Sequence, residues 1–185
     1  MANAITIARI LLAIPFAALF FVSASWAMKA ALAVFAFAAV SDFLDGYVAR
    51  ARNEVSALGA ALDPVADKIL VGAALLLLTR NGVISGPGVG AALLILAREF
   101  LVGGLREALA GRSLDLPVTG LAKWKTASQM VAIGLLLAGA PGGLLGAWLA
   151  PIADGALWLS AILTLWTGAD YAARGAMLLR TQAKP

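Results

Sequence analysis

Residues 41–68 read SDFLDGYVARARNEVSALGAALDPVADK and put Asp42, Asp45, Asp63 and Asp67 into a chain that is 62% hydrophobic and 13% charged. At 185 residues this composition belongs to an integral membrane protein, not to a soluble domain. An ionised group at the centre of a membrane span costs about 2.5–3.5 kcal/mol, so four of them need a cavity and cationic company. On a helix turning 100° per residue, Asp42, Asp45, Gly46 and Ala49 share an arc of about 100°. Gly59, Asp63 and Asp67 stand four apart on a second stripe. The stretch reads as the inner ends of two helices, each with one acidic face of small residues.

Working outward, apolar windows long enough to cross roughly 30 Å of hydrocarbon recur at 5–22, 27–48, 60–78, 88–105, 121–138 and 155–179. The expected fold class is all-α integral membrane, with six transmembrane helices and short connections in a single domain over 1–185. Gly139 to Asp154 is apolar too, but its glycines and prolines predict an interfacial or re-entrant loop. Arg9 lies inside the first apolar run and not before it, so the run reads as a retained span rather than a cleaved secretory signal. Of 14 basic residues only Lys29 and Arg80 fall outside inward loops or inward halves of spans, which gives an N-in, C-in orientation. The net charge of +4 therefore flanks spans, where anionic membrane lipids and topology call for it. No basic patch interleaved with aromatics points to nucleic acid.

The chain has no cysteine and no histidine, which excludes thiolate nucleophiles, imidazole bases and zinc sites built on either. What remains is carboxylate, lysine, arginine and hydroxyl chemistry. Four aspartates facing one another would supply hard oxygen ligands alone, a set that selects Mg²⁺, Mn²⁺ or Ca²⁺. Two such ions suit phosphoryl transfer, where they neutralise charge on the phosphate. Gly46, Ala49 and Gly59 let a ligand or a neighbouring helix approach the backbone closely, and either reading is open from the spacing. Asp63 before Pro64 also fits a helix N-cap followed by proline at the first helical position. Capping does not account for Asp42, Asp45 and Asp67 together.

A second group lies downstream: Arg98-Glu99-Phe100, Gly104-Leu105-Arg106, then Lys123-Trp124-Lys125-Thr126 and Gln129. Arg98 stands well inside its window, at the depth of Asp42 if the two helices are antiparallel neighbours. Arginines and lysines beside a bound diphosphate suit a phosphorylated acceptor, since a dianion needs point charges and bidentate donors. Arg106, Arg112, Lys123 and Lys125 also fit an ordinary positive-inside loop. Lys68 balances charge beside Asp67 or snorkels to the interface.

The spacing Asp42-x2-Asp45-Gly46-x2-Ala49-Arg50-x8-Gly59-x3-Asp63-x3-Asp67 resembles the full signature of the CDP-alcohol phosphotransferase family. The resemblance implies six membrane helices, a homodimer, two divalent ions (Mg²⁺ or Mn²⁺), and transfer from a CDP-linked donor to an acceptor hydroxyl with release of CMP. It implies that Asp42, Asp45, Asp63 and Asp67 surround the ions, with Asp67 the base on the acceptor hydroxyl. Gly46, Ala49, Arg50 and Gly59 would lie against the CDP moiety. The downstream pattern, with Asn3, Thr6 and Arg9 near the start, is similar to the branch of the family that joins CDP-diacylglycerol to glycerol 3-phosphate. In that branch Asn3 and Thr6 belong to the CDP-diacylglycerol site, while Arg98, Arg106, Lys123 and Lys125 hold the acceptor phosphate. The implied location is a bacterial inner membrane, multi-pass, with the site facing the cytoplasm. One departure is the start, Met-Ala-Asn, where the family commonly has isoleucine-proline before the asparagine. The alternatives are a sister enzyme with another acceptor (an inositol phosphate, serine or phosphatidylglycerol) and, from another class, a cation transporter whose carboxylates line a path.

Overall fold

The computed structural model describes the backbone of residues 2–52, 57–112, 114 and 120–182, and side chains chiefly over 10–41, 68–112 and 123–179. Among the described residues the chain is all-helical: α1 (Ala2–Leu19), α2 (Ala27–Arg52), α3 (Ala57–Arg80), α4 (Gly88–Ala110), α5 (Gly120–Gly139), a single 3-10 turn at Ala147–Leu149, and α6 (Ala150–Gln182). One helix stands at each of the six apolar windows.

Burial follows the helical period. On α2 the buried positions include Ala27, Ala31, Phe35 and Ala38, and on α6 they include Ala153, Leu157, Ser160, Ala161, Thr164, Thr167 and Tyr171. Steps of three and four residues keep each set on one face. α5 sits centrally, packed against α2, α3 and α6, while α4 lies along α6 and α1 joins α2 to α3. Phe16 of α1 anchors the core at the loop end, its ring 5.2 Å from Phe20 and 6.0 Å from Phe35. At the other end, Val102 and Leu109 of α4 close on Tyr171 of α6.

The outward faces carry the large apolar side chains. Leu101 is 74% exposed, Trp124 72% and Trp166 70%, while alanine, serine, threonine and glutamine share the buried positions with leucine, isoleucine and phenylalanine. Bulky apolar side chains on the outward faces, with small and polar ones among those buried between helices, suit helices packed in lipid. α4, with mean hydropathy 1.7, and the run Ala147–Leu179, with 1.5, are long and apolar enough to cross a membrane. Ile10–Leu19 and Ala27–Ser41 are shorter apolar helical stretches.

Two local expectations are corrected. The break after α5 is confined to 140–146, because Leu145 and Gly146 donate backbone hydrogen bonds to Ala138 O and Gly142 and Gly146 adopt positive φ. α6 then starts at Ala150 with Pro151 in its first turn, where a missing N–H costs nothing. α3 begins at Ala57, so Asp63 and Pro64 stand within the helix and not at its N-terminus. The capping role for Asp63 falls with that boundary.

Candidate active site

The acidic signature is carried on continuous helix. Asp42, Asp45, Gly46, Ala49 and Arg50 occupy the C-terminal half of α2, and Gly59, Asp63 and Asp67 the N-terminal half of α3. Asn3 and Thr6 are in the first turns of α1. The side chains of all ten residues lie outside the described residues. The described geometry begins one residue later, at Lys68. Its ammonium rests against Gly103 of α4, so closely that a Cβ at that position would collide with it. Gly103 is one helical turn from Glu99, and with Gly72 facing Leu96 this contact joins the middle of α3, just past Asp67, to α4.

There α4, α5 and α6 enclose a polar cluster. Arg98, Lys125 and Gln129 are all buried, at 8%, 5% and 3% exposure. One oxygen organises them: Glu99 Oε1 accepts from Lys125 Nζ at 2.5 Å, Gln129 Nε2 at 3.2 Å and Arg98 Nη1 at 3.3 Å. Gln129 also donates to Thr164 Oγ1 at 3.1 Å, and Arg98 Nη2 donates to Thr167 Oγ1 at 3.0 Å. Thr167 in turn donates to the carbonyls of Leu163 and Thr164. The guanidinium carbon of Arg98 lies 5.7 Å from the centre of the Tyr171 ring, within cation–π range. Its stem fits against Gly168, where a Cβ would come within 2.8 Å of Arg98 Cγ. Arg98 Nε is buried without a hydrogen-bond partner.

The four cations expected to hold an acceptor phosphate thus divide. Arg98 and Lys125 meet on one carboxylate, whereas Arg106 and Lys123 are exposed on α4 and α5. Lys123 and Lys125 are two residues apart, roughly 200° around a helix, so a single inward face takes only one of them. Arg98 meets α6 through Thr167, Gly168 and Tyr171. A cavity shared with Asp42 involves a side chain outside the described residues. Glu99, Thr164 and Thr167 had no role assigned from sequence. A usable signal was there, since Ser160, Thr164, Thr167 and Tyr171 recur at helical spacing through an otherwise apolar segment.

The arrangement combines an aspartate-bearing helix pair with a buried cationic pair held on one carboxylate. The family model for CDP-alcohol phosphatidyltransferases matches residues 1–166. The chain belongs to this family. It is 43% identical over 171 residues to a protein of Rickettsia typhi, covering 91% of this chain and 93% of that one. A protein of Pseudomonas fluorescens is 39% identical over 179 residues, covering 91% and 86%. One from Shigella flexneri is 36% identical over 178 residues, covering 94% of each. All three are named CDP-diacylglycerol–glycerol-3-phosphate 3-phosphatidyltransferase. As a CDP-alcohol phosphatidyltransferase with apolar helices of this length, the chain is a membrane protein of phospholipid metabolism. Its acidic signature and its buried Arg98–Glu99–Lys125 cluster both fall inside the matched region.

Proposed function

We propose that this protein transfers the phosphatidyl group of CDP-diacylglycerol to sn-glycerol 3-phosphate, giving phosphatidylglycerophosphate and CMP. The observation that carries the reading is the Lys68–Gly103 contact. It sets the helix of Asp63 and Asp67 against the helix of Arg98, next to a buried cation pair suited to a phosphorylated acceptor. The names borne by relatives of near full-length coverage support the same donor and acceptor.

In the reaction, the 1-hydroxyl oxygen of glycerol 3-phosphate forms a bond to the phosphatidyl phosphorus. The bond from that phosphorus to the oxygen of CMP breaks, and CMP departs with the bonding electrons. Asp67 takes the hydroxyl proton, carboxylates being the only conventional bases left in a chain without histidine or cysteine. Gly46, Ala49, Arg50 and Gly59, with Asn3 and Thr6, receive the CDP-diacylglycerol. Arg98 and Lys125 form the inner pair for the acceptor phosphate, and Arg106 and Lys123 the outer pair. The donor set of Asp42, Asp45, Asp63 and Asp67 is all oxygen and fits two Mg²⁺ or Mn²⁺ ions. When bound, such ions supply charge neutralisation for the diphosphate.

The wider reading is a multi-pass bacterial inner-membrane enzyme of six spans, N-in and C-in, working as a homodimer with its site facing the cytoplasm. The basic residues support the orientation, since it puts 12 of the 14 in inward loops or inward halves of spans. The deciding experiment incubates purified protein with CDP-diacylglycerol and labelled alcohols, with and without chelator. CMP release that requires both glycerol 3-phosphate and divalent metal is the expected result. Release with serine, an inositol phosphate or phosphatidylglycerol instead would assign a sister activity, and an absence of release with any of them would overturn the reading.

A further inference from the structure

We infer that Glu99 is the positioning residue of the acceptor site, holding Arg98 and Lys125 together as one seat for the acceptor's phosphate. This rests on the reaction proposed above.

Three donors converge on Glu99 Oε1, and two of them are the cations in question. Lys125 Nζ and Arg98 Nη1 therefore lie no further apart than the two distances to that oxygen combined. Two buried like charges do not stay so close without an anion between them. Glu99 is that anion, and the Arg98–Glu99–Lys125 group is enclosed at side-chain exposures of 9%, 15% and 7%. A buried donor without a partner is costly, and Arg98 Nε is one. Two cations drawn to one oxygen and a spare buried donor on one of them mark a network open to a second anion. A phosphate completes it.

The frame around the cluster restricts how the cations move. Gln129 bridges Glu99 on α4 to Thr164 on α6, so the carboxylate is tied to a second helix. Thr167 and Gly168 hold the Arg98 head and stem from the opposite side. Glu99 itself need not touch substrate, and its negative charge repels a phosphate. Its contribution acts through the cations, and it belongs to acceptor binding rather than to the donor or the proton transfer.

The test is steady-state kinetics of Glu99→Ala, Glu99→Gln and Gly168→Ala in detergent, varying each substrate in turn. Loss of hydrogen bonds to charged groups predicts a rise of roughly tenfold or more in KM for glycerol 3-phosphate in Glu99→Ala. The KM for CDP-diacylglycerol stays within about twofold of wild type, since no donor-side group is touched. Glu99→Gln keeps an accepting oxygen and recovers part of the loss. Gly168→Ala, which displaces Arg98 from the α6 side, reproduces the acceptor-selective rise even if Glu99→Ala does not fold. A wild type inactive with glycerol 3-phosphate would sink the reaction and this inference with it. An active wild type whose variants lose kcat with both KM values unchanged would mark Glu99 as structural and overturn this inference alone.

Discussion

At the scale of single residues, α4 and α6 meet through two glycines with different consequences. A Cβ at Gly168 would meet the stem of Arg98, and one at Gly175 would meet the methyl groups of Leu105, 2.9 Å away. Both substitutions overpack one interface, at about 1–3 kcal/mol, against a gain of about 0.5–1 kcal/mol from replacing a helical glycine. Gly175→Ala is therefore expected to lower the thermal midpoint in detergent while leaving the KM for both substrates at the wild-type value. Gly168→Ala is expected to share the stability loss and, alone of the two, to weaken acceptor binding. The sequence made the placement of Asp42, Asp45, Asp63 and Asp67 on two helices legible because fixed spacing within a helix needs no knowledge of packing. It gave Glu99 no role, since a glutamate following an arginine reads as a neutral pair until Lys125 and Gln129 of another helix arrive on the same oxygen. Thr167 was equally silent, because a threonine bonding back to Leu163 O satisfies itself within its own helix.

At the scale of elements, hydrophobic windows located all six helices, and the errors were at their ends. Windows of hydropathy miss polar termini: α2 runs to Arg52 and α4 to Ala110, past the apolar run in each case. Proline misled in the opposite direction. Pro64 and Pro151 both read as boundaries, yet one lies inside α3 and the other in the first turn of α6. The α5–α6 turn depends on Gly143, where a Cβ would stand 2.5 Å from Ala138 O, 2.6 Å from Leu137 O and 2.8 Å from Ala140 O. Backbone oxygens at that range do not yield without unwinding the end of α5. Gly143→Ala is expected to cost about 3 kcal/mol or more, in the range of strained backbone substitutions. Gly82, with φ 73° and nothing within 4 Å of its added Cβ, carries only the left-handed penalty. Gly82→Ala should cost about 1–2 kcal/mol. Thermal melts in one detergent rank wild type above Gly82→Ala and Gly82→Ala above Gly143→Ala; a reversed order of the two variants would mean the turn relaxes around the new methyl.

For the whole molecule, the question is what solvent its outer surface meets, and the size of a single substitution's effect separates the answers. Leu101 is 74% exposed near the middle of α4, a helix of 23 residues that spans about 35 Å at 1.5 Å per residue. In water, exchanging so exposed a leucine for arginine moves stability by no more than about 0.5 kcal/mol. In hydrocarbon the same exchange costs about 2.5–3.5 kcal/mol of insertion at the helix centre. Ala108, exposed near the end of the same helix, is the matched control, since an arginine there reaches the interface by snorkelling. Leu101→Arg is expected to cut the fraction of chain integrated in the membrane, measured as carbonate-resistant protein, while Ala108→Arg leaves it near the wild-type level. Equal integration of the two variants would exclude lipid contact at Leu101 and assign that apolar face to another protein surface. Because the buried faces hold Arg98, Lys125 and Gln129 and the outer face holds Leu101 and Trp166, lipid contact is the arrangement in which both are solvated by what they need. The polar groups meet one another, and the apolar ones meet acyl chains.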